Sequence, residues 1–369
     1  MKKLFYLTAT CAALVLLVAA NRSSKNPYDL KHGTPAIKSI SALAFGPDGI
    51  LFIGDSKSAS VFAVDTKDKE VAKANAVEIK NIDQKIAAAL GTEVKNIKIQ
   101  DIAVNPISKK IYCAVQNVDG TSVLLLIEGD KIQPVSLKDV DFSSASIANA
   151  PAEDQKDRGG RSLRESTISD LNFSNGSVML SGISNQEFSS TFSKIAFPFT
   201  NKQEQASLEI YHAAHGRYET NSPIRTFTTA TLNGKEYLVA SYTCTPLVLF
   251  PMDELKAGTH VKGRTVGEFG AGNSPIDMLS LKQGDNNVLV MANSSRPVMR
   301  VKYKSIETYA GSLTEPVKES FSTAGVDFVT LPVVSVMQMD KLDDGKVLVL
   351  QRKTNGDLDL STLNERMFF

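Results

Sequence analysis

Residues 238–250 read LVASYTCTPLVLF, and residues 289–301 read LVMANSSRPVMRV. The two segments align without a gap and start 51 residues apart. Each has an apolar run, a short polar bend, a proline and a second apolar run, the pattern of two strands joined by a tight connection. One supersecondary unit recurring at such a period belongs to a propeller or a solenoid.

The same phrase continues in both directions. Residues 41–45 alternate, Gly46-Pro47-Asp48-Gly49 turns, and residues 50–53 and 61–64 follow as strands. Further hairpins are marked by Asp119-Gly120, Asn175-Gly176, Asn233-Gly234 and Asp344-Gly345. Asn-Gly and Asp-Gly supply the positive φ that a two-residue hairpin turn needs. Six units emerge, centred near Leu43, Ile102, Leu171, Thr229, Met278 and Gln338, with steps of 59, 69, 58, 49 and 60 residues. Each step holds four strands with their connections. The sequence therefore predicts an all-β fold, a six-bladed β-propeller of four-stranded antiparallel blades. A seventh blade is possible if a weak unit hides in 133–150 or 303–320. The clearest helix is 81–90, with Asn81 or Asp83 as cap and Gly91 as stop. A short helical turn is expected near 252–257, and 143–164 reads as a loop between blades two and three.

Composition sets the outer bounds. The chain has 369 residues and a formal net charge of +1. Near-neutrality gives no support to nucleic acid as a partner. Residues 1–20 read as a signal peptide: Lys2 and Lys3, an apolar run, then Val18-Ala19-Ala20 as a cleavage site. Residues 21–37 read as a polar N-terminal arm and 38–369 as a single propeller domain. The expected location is periplasmic or secreted, with no integral membrane segment after signal cleavage. Cys113 and Cys244 then remain; Cys113 sits mid-strand and reads as a small core residue. An oxidising compartment permits a disulfide between them, although they belong to units two and four.

The first unit, ISALAFGPDGILFIGDSKSASVFAVD (40–65), resembles an NHL-type propeller repeat, and also the blades of the gluconolactonase, paraoxonase and strictosidine-synthase group. The resemblance implies a six-bladed propeller. For the enzymes of that group it further implies a calcium ion in the central channel, held by a Glu, Asn and Asp set. Asp55 matches the repeat's own aspartate after the second strand, and Asn293 takes the equivalent place in the fifth unit.

The repeat also sorts residues by face. The turns between first and second strands lie on one face. The entries to first strands and the bends between second and third strands lie on the other, which collects the distinctive side chains and is where rim loops would build a site. His212 and His215 form H-x-x-H, so one helical turn puts both imidazoles on one side, and Cys244 reaches the same rim as a soft third ligand for zinc or copper. The alternative is tight packing without a metal, suggested by Ala213, Ala214 and Gly216. Arg161, Arg164, Arg217, Arg225 and Arg296, with Glu219, Tyr242 and Asn293, form a candidate surface for a small anionic ligand. Against that, Glu165, Asp170, Glu219 and Asp277 can neutralise the arginines. Asp101, Asp170 and Asp277 recur at the start of first strands. They either surround a calcium ion, together with Asp55, or accept backbone N–H groups that tie one blade to the next.

No G-x-S-x-G elbow, H-E-x-x-H or Gly-rich phosphate loop occurs. The leading expectation is an exported propeller that binds a small anionic molecule, a metal ion or a protein partner through one rim. The alternative is a calcium-dependent lactonase- or esterase-like hydrolase at the channel mouth. Calcium and a transition metal are the candidate cofactors.

Overall fold

The computed structural model describes residues 27–369 apart from 201 and 320; the signal-peptide reading lies outside the described residues. The chain forms six sheets, one per predicted unit. Their innermost strands are, in chain order, Ala42–Phe45, Ile97–Val104, Asp170–Ser174, Thr226–Leu232, Pro275–Gln283 and Val336–Asp343. From each, antiparallel strands step outward, and His260–Lys262 adds a parallel strand to the outside of blade three.

The hairpins follow from the turn residues. Asn175 and Gly176 have φ of 49° and 70°, and Asn233 and Gly234 have φ of 50° and 76°. Both central residues are left-handed, which matches the twist of the strands they join. Second strands are apolar without alternation because neighbouring blades cover both faces, and all of Ile50–Asp55 is buried. Phe52 stacks on Phe173 and meets the edge of Phe197. Truncating such a ring to alanine removes about 3–5 kcal/mol.

Six apolar clusters fill the six gaps between sheets. Their membership reveals the order around the ring. Ile50, Phe52 and Ala63 of blade one pack on Leu171, Val178 and Leu180 of blade three. Leu43, Leu51 and Ile53 of blade one pack on Ala103, Tyr112 and Leu124 of blade two. Blade two meets blade six through Ile102, Cys113, Leu348 and Leu350. The ring therefore runs one–three–four–five–six–two, with blade one inserted between the second and third units of the chain.

Three segments achieve this. Residues 66–77 leave blade one and cross blade two on the turn face. There Asp68 accepts hydrogen bonds from Ser108 Oγ (2.6 Å), Asn105 Nδ2 (3.2 Å) and Tyr112 OH (3.2 Å). The strand Glu78–Ile79 then completes blade six by pairing with Leu358–Asn364. After blade two the chain returns, and Val140–Ser146 becomes the fourth strand of blade one by pairing with Ser60–Asp65.

This corrects several expectations. The start of the expected loop at 143–164 is an outer strand, inconspicuous because Phe142 is its one buried large side chain. Part of the expected arm, Lys31–Gly33, adds a fifth strand to blade one. Residues 252–257 form turns, not helix. The two segments considered for a seventh blade hold the strand Lys131–Pro134, the strand Val140–Ser146 and the helix Tyr303–Thr308. The 81–90 helix is present as Ile82–Ala89, but Asp83 accepts the Leu358 N–H (3.1 Å) instead of capping.

Candidate metal centre

Blade three has a long fourth strand, Gln203–His212, that ends buried on the entry face. A tight turn follows, in which the His215 N–H bonds the His212 carbonyl (3.1 Å) and Gly216 has φ of 62°. The chain then folds back as Arg217–Glu219, with Ile210 opposite Glu219. The turn brings the two imidazoles together, centroids 3.9 Å apart and planes tilted by 44°. The fold-back brings one carboxylate beneath both rings.

Glu219 Oε2 lies 2.9 Å from His212 Nδ1, and its Oε1 lies 2.7 Å from His215 Nδ1. Burial pushes Glu219 upward, but hydrogen bonds from the two histidines outweigh it and hold the carboxyl at about 2. An ionised carboxylate only accepts, so both Nδ1 atoms donate to it. In the neutral rings that leaves a lone pair on each Nε2, the orientation a carboxylate imposes on metal-binding histidines.

Cys244 arrives from blade four, at the bend between Lys235–Ser241 and Pro246–Pro251. Cys244 and Thr245 have φ of 68° and 61°. Two successive left-handed residues without glycine cost about 1–3 kcal/mol each, so surrounding bonds must hold them. The Cys244 N–H bonds the Asn273 carbonyl (2.7 Å), the Thr245 N–H bonds the Tyr242 carbonyl (2.9 Å), and Thr245 Oγ1 donates to the Gly270 carbonyl (3.1 Å). Cys113 and Cys244, the cysteines among the described residues, are free thiols. One ligand atom from each of His212, His215 and Cys244 lies within 4.8 Å of the other two.

Behind this trio stands Glu268, fully buried at the end of Arg264–Glu268. Its Oε2 is 3.9 Å from His212 Nε2 and accepts the Ala214 N–H (3.2 Å). Burial raises Glu268 to about 7 against the pull of the Ala214 and Ala213 amides. His212 Nε2 and Glu268 Oε1 are both buried without a hydrogen-bond partner. Unpartnered buried polar atoms are costly and call for a missing partner. The face toward solvent stays open at His215, whose side chain is 41% exposed.

The remaining candidates are placed elsewhere. Asp55, buried on blade one, accepts the Lys38 and Ser39 N–H groups, Ser39 Oγ and the Ser58 N–H, between 2.6 and 3.0 Å. The first-strand aspartates clamp neighbouring blades. Asp101 accepts Leu43 N–H (2.7 Å), Asp170 accepts Phe227 N–H (2.9 Å) and Asp277 accepts Met339 N–H (2.6 Å), while each also bonds the amide that follows it. Asp340, which sequence reasoning missed, does the same to Val104 (2.7 Å). Its signal was a fourth acidic residue on a first strand, two places beyond the Gln338 landmark. Burial raises all four, Asp170 and Asp340 to about 7 and Asp277 to about 6, and mutual repulsion adds to Asp101, Asp170 and Asp340.

The arginines do not converge. Arg161 pairs with Asp157 (2.7 Å), Arg217 leans on Glu219 (3.2 Å), and Arg164 lies in the short turn Arg164–Ser166. Arg296 lays its guanidinium over Gly270, whose φ is 103°. Asn293 bonds Asn273 and the carbonyls of Met291 and Pro297. Tyr242 is buried in the core between blades three and four. Arg225 stands at the channel mouth.

No protein-family model matches the chain, and no curated protein matches it. Among solved structures it is similar to a putative oxidoreductase (glucose dehydrogenase) from Thermus thermophilus at 11% identity, covering 90% of this chain and 99% of that one with a TM-score of 0.36. It is also similar to a luciferin-regenerating enzyme at 9% identity, covering 91% and 96%, TM-score 0.36. A third is the PQQ-bound form of an aldose sugar dehydrogenase from Streptomyces coelicolor at 10% identity, covering 92% and 99%, TM-score 0.34. Similarity this low carries no inference about activity. Among the described residues no helix is long and apolar enough to cross a membrane.

Proposed function

We propose that the protein is an exported metal-binding propeller that holds one zinc- or copper-class ion between blades three and four. The observation that carries this reading is the shared grip of Glu219 on both imidazoles beside Cys244, with the buried His212 Nε2 left without a partner. Two imidazoles and a thiolate suit a borderline or soft cation and not calcium. Glu268, raised to about 7, would ionise against a bound cation and so supply negative charge on the buried side, and the open side admits a further ligand from solvent. The channel aspartates support the calcium-dependent hydrolase less well, since their oxygens already accept blade-tying amides.

The test is metal titration of tag-free protein, by calorimetry and by cobalt substitution. One equivalent should bind, and cobalt should show a thiolate charge-transfer band that Cys244→Ser abolishes. Glu219→Gln should weaken affinity roughly ten- to a hundredfold by releasing both rings. Bound metal should also raise the melting temperature, because it binds only the folded chain. Absence of binding, or binding indifferent to Cys244→Ser and His212→Gln, would remove the proposal.

A further inference from the structure

The entry face carries a second feature that the metal reading does not use. All six blades contribute to a funnel of about 650 Å³ at the channel mouth. Its floor is the aspartate ring: lining passes from Gln100 to Asp101, Ser169 to Asp170, Arg225 to Thr226 and Ile276 to Asp277 as the mouth gives way to the opposite end of the channel.

Four cationic side chains stand around this mouth, each from a different blade: Lys57, Lys98, Arg225 and Arg352. None of the four makes a salt bridge among the described residues. Lys57 Nζ and Arg352 Nη1 donate to the carbonyls of Gly120 (2.7 Å) and Gly356 (3.0 Å), which orient them without neutralising them. Of the two acids in the wall, Asp83 is buried and holds the Leu358 amide, so within the wall only Glu165 opposes the four, with Asp119 beside Lys57 outside it. Elsewhere on this protein cations are commonly paired, as Lys67 is with Asp141 and Lys110 with Asp68. Unpaired cations gathered from four blades around one concavity focus a positive field into it.

The rest of the lining narrows the class. Gln100 Nε2 donates to Gln116 Oε1 (2.5 Å), and Gln338 Nε2 to the Gln100 carbonyl (3.2 Å). Gln116 Nε2 is left as a donor, and Gln100 Oε1 and Gln338 Oε1 as acceptors, within the cavity wall. Ile97, Ile168, Pro223 and Met337 provide aliphatic patches. Among the described residues no aromatic ring lines the funnel, so it offers no stacking platform for a nucleobase. The carboxylate floor repels an anion from going deeper and keeps its charge among the cations.

From this we infer that the funnel binds a compact aliphatic polyanion, a di- or tricarboxylate or a phosphate monoester. This stands independently of the metal centre, whose ligands line no part of the funnel. The experiment uses metal-free protein and calorimetry with succinate, citrate, glycerol phosphate, acetate and adenosine monophosphate at several salt concentrations. At least one of succinate, citrate and glycerol phosphate should bind at one site per chain, acetate at least tenfold more weakly, with affinity falling as salt rises. Which of the three is tightest tells carboxylate from phosphate. Arg225→Gln and Arg352→Gln should each weaken binding about tenfold or more, the scale of a lost charge-assisted hydrogen bond, while Arg161→Gln, paired with Asp157 away from the funnel, should leave it unchanged. Absence of binding at millimolar concentration, binding unaffected by both funnel arginine variants, or equal preference for the adenine nucleotide would each overturn the inference.

Discussion

Replacing Asp340 by asparagine separates the two effects that the channel aspartates exert on stability. Asp340 accepts Val104 N–H at 2.7 Å and Lys341 N–H at 2.7 Å, so it ties blade six to blade two. Burial, with a contribution from Asp277, raises its carboxyl from 3.8 to about 7. Because the folded value lies above the unfolded one, the folded state binds the extra proton. Its stabilising share is complete below pH 4 and drains away as pH rises through about 7. A shift of some three units sets an upper bound of about 4 kcal/mol, which coupling to Asp277 and the water in the channel reduce to on the order of 2–3 kcal/mol.

Asparagine cannot ionise, so it escapes that loss. It also presents an NH2 to one of the two amides, at a cost of about 1–3 kcal/mol that is independent of pH. Melting curves of both proteins between pH 4.5 and 8.5 should therefore converge or cross. The variant is less stable at pH 5 and equal to or more stable than the parent at pH 8.5, a relative swing of roughly 3–4 °C for a chain of this size. Glu268, also raised, titrates in both proteins and cancels from the difference. Glu219, held at about 2, loses its contribution only below the range scanned. A difference in melting temperature that stays constant with pH would refute the argument that ionisation of this group opposes folding.

Two further substitutions probe the frame. Asp68→Ala removes the acceptor of Ser108, Asn105 and Tyr112 that pins the crossing segment 66–77 beneath blade two. It should cost about 2–4 kcal/mol in urea unfolding and speed proteolysis within 66–77; unchanged digestion would mean that the crossing is held elsewhere. Gly182→Ala places a methyl carbon 1.9 Å from the Thr167 carbonyl oxygen, in backbone that cannot rotate away. A loss of more than about 3 kcal/mol is expected by calorimetry, and a melting temperature within a degree of the parent would show that the entry loop of blade three yields freely.

The hairpins were legible because their turns demand particular residues: Asn233-Gly234 needs two positive φ values, and few other pairs supply them. The neighbourhood of His212, His215 and Cys244 was legible for a similar reason, since strand polarity alone sends all three to the entry face. The ring order was not. Strand spacing says where a sheet begins but not which edge of the ring it joins. The strand that reveals the insertion, Val140–Ser146, is an outer one with little apolar signal. Glu268 was invisible because its importance is positional, an acid at a strand end that only packing brings to 3.9 Å from His212. Of the funnel cations, Arg225 was already a candidate for an anionic ligand, but Lys57, Lys98 and Arg352 are ordinary singly and acquire meaning only when four blades meet at one mouth.

The unusual blade order bears on where function can sit. A ring closed by one terminal strand has one non-local seam. Here Glu78–Ile79 closes blade six and Val140–Ser146 closes blade one, so two sheets depend on strands from distant parts of the chain. Loop closure makes such pairings slow to form, but once made they interlock blades one, two and six. The long crossing that this requires passes along the turn face, where it bonds Ile107 and Asp343. The entry face is thereby left free of that crossing, and on it the structure gathers both the imidazole–thiolate cluster and the cationic funnel. Residues 219–225 join the two, from the carboxylate that orients the histidines to the arginine at the mouth, so a ligand that moved this segment would be felt at both sites.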